Sequence, residues 1–470
     1  MIKKANFNLH ILQAIGEIGD LANIPVYVVG GYVRDRFLGR SGKDIDFVVL
    51  GDGPAFAQRV AQHFSRSSCT VYPKFGTAMV NHRGYVLEFV GARKESYRGH
   101  SRNPEVEQAD LDTDLARRDF TINAMAVSLN REEYGRLIDP FQGLQDLQQG
   151  LIRTPLQPEK TFFDDPLRIM RAIRFACLFH FQIDEATKAG LASEAPRLNI
   201  ISQERITDEL LKIIGAKKPS LGFRLMEETG VLPLVMPEIA NLRGVDQIGH
   251  FRHKDVFGHT LQVLDNVARV SDDIKLRLVA LYHDVAKPQT KEFKAGIGWT
   301  FHGHEELGAR MMTAIGKRLR LPHDTIEYIQ KLIRLHLRPI HLAEEGVTDS
   351  AIRRLIFQAG AEMDDLITLC RADITSSNAK RVVQHLANFD YVVQRMREVE
   401  ERDQLRQFQP PVRGDEIMTV LGLQPGPLVG KIKTAIEEAI LNGIIANEHD
   451  AAFAYMMQIK DEILSSMASR

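Results

Sequence analysis

The hydrophobic period of this chain changes once, near Pro158, and that change limits the fold more than any single motif does. From Ile24 to about Arg153, short β-rich runs alternate with turns: Ile24 to Val29, Asp44 to Leu50, Ala78 to Val80, Tyr85 to Val90 and Ala124 to Val127. Beyond Pro158 the apolar spacing is helical, as in Pro166 to Phe179, Gln203 to Ile214, Leu221 to Thr229 and Val256 to Val270. A mixed-sheet domain followed by a mostly α-helical remainder is therefore expected, an α+β chain. Within the first part, Ala92 to Asp114 is polar and broken by glycine and proline, which predicts a mobile loop. Lys291 to Phe301 predicts a small hairpin around Trp299, the only tryptophan.

At 470 residues the chain exceeds one compact core. Breaks near Lys217-Pro219, Pro237-Gly249 and Gln407-Pro411 suggest segments 1–153, 154–248, 249–406 and 407–470. Sixty basic side chains against 61 acidic ones give a net charge of -1, so any contact with nucleic acid must come from local patches. Cys69, Cys177 and Cys370 are widely spaced and odd in number, which argues against a disulfide framework or a thiolate zinc site. The N-terminus reads as an amphipathic helix, and no run has the length of a membrane span. A soluble cytoplasmic protein is expected.

The segment from Tyr27 to Val49 reads as strand end, glycine turn, short helix, turn and second strand. Gly30 and Gly31 before a helix allow a ligand to approach the backbone closely, which suits a triphosphate. Asp44 and Asp46 are two apart on a strand and share a face, while Ile45 and Phe47 turn to the core. Convergent carboxylates suit Mg²⁺, which takes carboxylate, phosphate and water oxygens. In a two-metal arrangement one ion activates an attacking hydroxyl and the other steadies pyrophosphate. Glu88 is a third candidate carboxylate, from a neighbouring strand. Either piece alone is as well explained by an ordinary turn or a solvated edge strand.

Together, in this order, they closely resemble the signature of the polymerase-β-like nucleotidyltransferases, specifically the class II group of tRNA CCA-adding enzymes and bacterial poly(A) polymerases. The resemblance continues through Arg117 to Met125 (RRDFTINAM) and through Asp139 to Leu147. It implies catalytic roles for Asp44 and Asp46, with Mg²⁺ on both, and Glu88 joins them as a catalytic candidate from its strand position alone. It also implies nucleotide binding by Gly30, Gly31, Arg34, Arg117, Arg118, Asp119 and Asn123.

Asp164-Asp-Pro-Leu-Arg168 opens the next helix, with acids placed to suit its N-terminus. Asp165 and Arg168 lie on adjacent turns of one face, one an acceptor and the other a donor. Cytosine and adenine each offer an exocyclic amine beside a ring-nitrogen acceptor. The pair matches them and would leave polar groups unpaired against uracil or guanine. A helix cap explains the two acids equally well on chemistry alone. In the resembled family an acidic-Asp-x-x-Arg motif here reads the incoming base, although Asp164 stands where Glu is frequent. Arg171 and Arg174 continue the stripe as further nucleotide-binding candidates or as ion-pair partners in the neck, and Glu209 reads as structural.

Further on, His259, His283-Asp284, His302, His304, His336 and Asp373 form a series of imidazoles and carboxylates suited to a divalent transition metal. Their order resembles the HD phosphohydrolases over about Phe257 to Asn378. That resemblance implies metal ligation by His259, His283, Asp284 and Asp373, with His302, His304 and His336 as additional ligands or phosphate contacts. A working phosphohydrolase and a structural domain both remain open. Arg413 to Gly430 resembles the tail of bacterial CCA enzymes and suggests helix-turn geometry and tRNA docking. The cations Arg310, Lys317, Arg318, Arg320, Lys331, Arg334 and Arg338 suit either phosphate contact or a solvated face.

The resemblance implies template-independent addition of C, C and A to the tRNA 3′ end from CTP and ATP, with release of pyrophosphate. Poly(A) synthesis, or addition of A alone or CC alone, shares the first motifs. Asp165, Arg168 and the uninterrupted Ala92 to Asp114 segment favour full CCA addition. A chain working mainly as an HD phosphohydrolase or an RNA-binding regulator is the reading of another class.

Overall fold

The computed structural model describes residues 7, 9–96, 105–249, 251–295, 298–345, 348–375, 378–403 and 411–468. It divides into two compact units, Met1–Ala240 and Asn241–Arg470. No described helix is long and apolar enough to cross a membrane.

In the first unit, β1 (Val26–Val29) is a run of Val and Tyr that forms an interior strand of the sheet. The other strands are β2 (Asp44–Val49), β3 (Ser68–Tyr72), β4 (Thr77–His82), β5 (Tyr85–Gly91), β8 (Ala126–Ser128) and β9 (Leu137–Ile138), in the order β3-β4-β5-β2-β1-β8-β9. Only the β2–β5 pair is parallel. It sets Asp46 opposite Glu88, with Ile45 opposite Leu87 and Phe47 opposite Phe89. Ile45, Phe47, Leu87 and Phe89 are buried, and the two phenyl rings stack at 4.7 Å. Helix α3 (Gly53–His63) covers this face through Phe56, whose ring lies 5.7 Å from Phe89. Alternation therefore leaves Asp44, Asp46 and Glu88 on the opposite face.

Helix α1 (His10–Ala22) is the expected N-terminal amphipathic helix, closely set against the chain after β8. A Cβ at Gly16 would lie 1.9 Å from the Leu129 carbonyl oxygen, so only glycine permits the approach. The expected mobile loop from Ala92 to Asp114 is corrected in part. Its flanks form a hairpin of β6 (Arg93–Ser96) and β7 (Glu105–Gln108), then helix α4 (Leu111–Ala116), capped by the Asp110 carboxylate on the Thr113 amide. Leu111 and Leu115 pack on Val29, Val48 and Ala126, and that burial outweighs the polar composition. Residues 97–104 lie outside the described residues. Strand β3 was also absent from the sequence reading: Ser-Cys-Thr-Val-Tyr is a half-exposed edge strand with little apolar signal.

Helices complete the unit. After α5 (Gly143–Gln149) come α6 (Pro158–Asp164), α7 (Leu167–Phe179), α8 (Glu185–Glu194) and α9 (Gln203–Ile214), with α7 packed on α9. Asp164 closes α6 instead of opening the following helix, which corrects the expected acidic N-terminus. Asp165 is extended between the two helices, and its carboxylate accepts the Leu167 amide at 3.2 Å.

The second unit is helical apart from hairpins, and the expected one around Trp299 pairs Glu292–Lys294 with Gly298–Thr300. Helices Val256–Ala268, Ile274–Tyr282, His304–Arg318, His323–Leu335 and Met363–Asp373 carry the histidine series or flank it. Gly414–Leu421, Pro427–Leu441 and His449–Ala468 form a separate apolar cluster around Ile417, Ile432, Ile436 and Met456. Gly422 ends the first of these in the left-handed region (φ 66°) and Pro427 starts the next, the turn that the glycine and proline pattern indicated.

Candidate active site

A cleft of about 530 Å³ opens in the first unit, lined by Gly30, Gly31, Asp46, Asp119, Asn123, Asp165, Phe175 and eight arginines. It brings together residues from the turn between β1 and helix α2 (Gly31–Phe37), β2, the Arg117–Asn123 segment and α7, which are far apart in sequence. The turn after β1 depends on Gly30, whose φ of 71° favours glycine. A Cβ there would sit 3.0 Å from the Arg118 guanidinium and 3.7 Å from Asp46 Oδ2. Gly31 starts α2 (Gly31–Phe37), and a Cβ there would make only ordinary contact with Arg34.

Asp46 and Glu88 open onto solvent, yet the wall around them removes enough water to raise both carboxyl pKa values. Burial is the main cause in each case. Arg118 opposes it and Asp44 adds to it at Asp46, while Asp46 adds to it and Arg93 opposes it at Glu88. Crowded carboxylates that resist ionisation, with oxygen the only donor type, fit a hard divalent cation. Asp44 lies two residues from Asp46 on the same exposed face of β2, and neither it nor Glu88 is among the cleft-lining residues.

The arginines are held by a second layer of acids. Arg117 and Arg118 both grip the fully buried Asp114, at 2.6 and 3.0 Å. Burial would raise the Asp114 pKa, but the two guanidinium groups hold it below the usual value. Asp119 accepts Nε and Nη2 of Arg171 at 2.8 and 2.6 Å and the Asn123 amide at 2.9 Å. Despite burial, these partners hold its carboxyl at about 2. Asn123 in turn accepts Arg34 at 2.6 Å, and Arg174 pairs with the buried Glu209. Asp114 and Phe175 were absent from the sequence reading. An i, i+3 and i+4 relation between Asp114 and the arginine doublet was the available signal for the first.

Asp165 and Arg168 both line the cleft. Arg168 is 9% exposed, and its guanidinium donates to the Arg117 carbonyl at 2.8 Å and the Thr161 carbonyl at 3.4 Å. Arg205 approaches Asp165 at 3.8 Å. Carbonyl clamps of this kind hold a guanidinium in one orientation without cancelling its charge.

The second unit gathers the histidine series around Asp284. His283 Nε2 and His259 Nε2 lie 3.2 and 3.7 Å from its Oδ2, and His304 Nε2 and His336 Nε2 lie 3.4 and 4.0 Å from its Oδ1. Asp373 is 2.9 Å from His259 and 3.5 Å from His283. His259, His283 and Asp373 can thus hold one ion, and Asp284, His304 and His336 another. His302 is exposed and outside both sets, whereas His304 and His336 are integral to the second. The Nδ1 atoms of His283, His304 and His336 meet the carbonyls of Ala280, Phe301 and Ile333 at 2.8, 2.7 and 2.6 Å. That contact favours the Nδ1–H tautomer and leaves Nε2 inward. These three Nε2 atoms are buried without a hydrogen-bond partner, as ligand atoms for a metal would be. Burial lowers His336 to about 3, so its imidazole is neutral. At His283 the carboxylates of Asp284 and Asp373 outweigh burial and raise the value to about 10, a setting that suits a positive charge.

The family model of the poly A polymerase head domain matches residues 26–153, "Probable RNA and SrmB- binding site of polymerase A" matches 180–242, and the HD domain matches 256–376. The A-adding tRNA nucleotidyltransferase of Deinococcus radiodurans is 32% identical over 433 residues, spanning 90% of this chain and 93% of its own. The chain belongs to the tRNA nucleotidyltransferase family. It is an enzyme of that class, a nucleotidyltransferase with an HD domain. Two other family members show the range of products: the CC-adding tRNA nucleotidyltransferase of Thermus thermophilus is 30% identical, over 90% of this chain and 92% of its own. The multifunctional CCA protein of Nitrosococcus oceani is 34% identical, over 74% of this chain and 84% of its own. The fold is that of the Thermotoga maritima CCA-adding enzyme solved with tRNA, at a TM-score of 0.61 and 24% identity over 97% of this chain and 95% of that one.

Proposed function

We propose that this tRNA nucleotidyltransferase is a cytoplasmic enzyme that adds the whole CCA sequence to the tRNA 3′ end, using CTP and ATP. The observation that carries the reading is the placement of Asp165 and Arg168 in the same cleft as Gly30 and Asp46, with Arg168 clamped by two backbone carbonyls. A fixed acceptor–donor pair beside the transfer site selects C and A over U and G by hydrogen bonding alone. The Ala92–Asp114 segment, with its hairpin and helix, is also present.

In this reading Arg34, Arg117, Arg118, Arg171 and Arg174 hold the triphosphate, and Asp119 and Asn123 keep Arg171 and Arg34 in place. Asp44 and Asp46, with Glu88 beside them, would hold Mg²⁺, which would supply charge neutralisation and Lewis acidity as the tRNA 3′-hydroxyl attacks the α-phosphate and pyrophosphate leaves. The segments are proposed to divide the work as head 1–153, neck 154–248, HD-type domain 249–406 and tail 407–470.

Addition of A alone is the second reading, favoured by the full-length similarity to the Deinococcus radiodurans enzyme. The two separate on tRNAs ending before CCA, after C, and after CC. The proposal predicts that CTP alone extends the first two and ATP alone extends only the third. Extension by ATP of the third with no use of CTP on the others would establish A addition, and a long adenylate tail would establish a poly(A) polymerase.

For the second unit, the buried Nε2 atoms support binding of a divalent transition metal by His259, His283, Asp284 and Asp373, joined by His304 and His336; phosphoester cleavage is the activity proposed for it from the resemblance to HD phosphohydrolases. The His283→Ala enzyme is expected to lose metal binding and phosphoester cleavage while retaining nucleotide addition. Retention of metal and cleavage would remove the reading.

A further inference from the structure

Phe175 is buried in α7, with 4% of its surface exposed, yet it lines the arginine-rich cleft. Three guanidinium groups approach its ring: Arg174 at 4.2 Å, Arg34 at 5.0 Å and Arg171 at 5.4 Å from the centroid. Phe179 stacks alongside at 5.6 Å, nearly parallel, and takes Arg34 at 4.8 Å and Arg40 at 4.9 Å. The ring of Phe120 meets Phe175 edge-on at 5.8 Å.

Each of the three arginines also has a polar anchor: Asn123 and Asp35 for Arg34, Asp119 for Arg171 and Glu209 for Arg174. Those anchors fix one edge of the Arg171 and Arg174 guanidinium groups, whereas Arg34 is engaged through Nε, Nη1 and Nη2. A planar cation held only at an edge can still tilt, and three cations this close repel one another. Burial, and to a lesser degree the charge of Arg171, push the Arg174 pKa down, against Glu209, which raises it. More carboxylates would relieve the repulsion but would also cancel the positive charge that a triphosphate needs. A phenyl face stabilises a cation through its quadrupole and leaves the net charge intact.

We propose that Phe175 is a positioning residue for nucleotide binding, its π-system holding Arg34, Arg171 and Arg174 flat and charged at the floor of the triphosphate site. The inference rests on the cleft being the nucleotide site and adds the requirement that the ring's electronic character, not only its volume, sets affinity.

The test replaces Phe175 alone, by site-specific incorporation, with 4-fluoro-, 3,5-difluoro- and 3,4,5-trifluorophenylalanine. The chain has 23 phenylalanines, so global replacement would not isolate the site. Fluorine drains the ring face of negative charge with little change in shape. KM for CTP and ATP should rise stepwise, reaching about tenfold for the trifluoro ring, the scale of a buried cation–π contact. The value of kcat should stay within about twofold, and the thermal midpoint should be nearly constant. The same series at Phe56, in the sheet core, should leave KM unchanged. A flat KM series at Phe175, in an enzyme whose wild type saturates with CTP and ATP, would overturn the proposal and leave the ring as packing. A wild type that saturates with neither would instead remove the nucleotide reading of the cleft, and the proposal with it.

Discussion

At the scale of single residues, the cleft depends on buried charges that are each paired, and the pairing has a pH signature. Asp119 has its carboxyl at about 2 in the folded chain, against an ordinary 3.8. A depressed carboxylate contributes stability above its unfolded pKa and loses it as pH falls through the folded one. The contribution of the Asp119–Arg171 pair should therefore be complete at pH 7 and fade between about pH 4 and 2. Asp119→Asn should destabilise the first unit by about 2–3 kcal/mol at pH 7. Urea midpoints of the two proteins at pH 7, 5 and 3 check this: the gap should hold to pH 5 and narrow at 3, and a gap that widens on acidification would contradict the pairing. Asp46→Asn, on the solvent-facing side of β2, should abolish nucleotide addition without moving that midpoint. Arg168→Ala should let UTP and GTP compete; unchanged selectivity would remove the protein template.

At the scale of elements, the long helices and central strands were legible because one residue type repeats on one face. The Gln203 to Ile214 helix was read with its observed bounds, and Asp44 and Asp46 alternate with buried Ile45 and Phe47 as strand periodicity requires. The edge strand Ser68–Tyr72 was not legible, since neither of its faces is well buried. Nor was the hairpin of Arg93–Ser96 and Glu105–Gln108, whose composition matches a loop and whose pairing is set by the helix packed after it. Asp165 and Arg168 were assigned as one pair, but the structure gives each its own anchors: the Leu167 amide and Arg205 for one, two carbonyls for the other. Spacing predicts a shared helix face, but Asp165 is extended ahead of the helix that carries Arg168, so the two meet at the cleft without sharing one. The close setting of α1 was equally invisible. Gly16→Val should lower the thermal midpoint by several degrees, because the new side chain must displace the Leu129 carbonyl. An unchanged midpoint would show that α1 can move away at little cost.

At the scale of the whole molecule, two chemically different sites occupy two units. The first uses carboxylates and arginines, a set for a hard cation and a polyanion. The second uses four imidazoles with the carboxylates of Asp284 and Asp373, a set for softer metals. The ligand sets predict separable metal requirements, so removal of transition metal by a chelator, with Mg²⁺ restored, should leave nucleotide addition intact. Loss of addition under that treatment would show that the two sites are coupled. The sequence series of histidines was enough to suggest a metal centre. Its division into two sets was not, because it depends on which oxygen of Asp284 each imidazole faces.

The central claim is that one cleft, with one acceptor–donor pair, selects both C and A and stops after three additions. Sequencing the 3′ ends made from a tRNA lacking CCA, with all four nucleoside triphosphates present, tests it most directly. Ends reading CCA, with U and G rare and no further extension, are predicted; ends carrying only A, only CC or an adenylate run would contradict the claim.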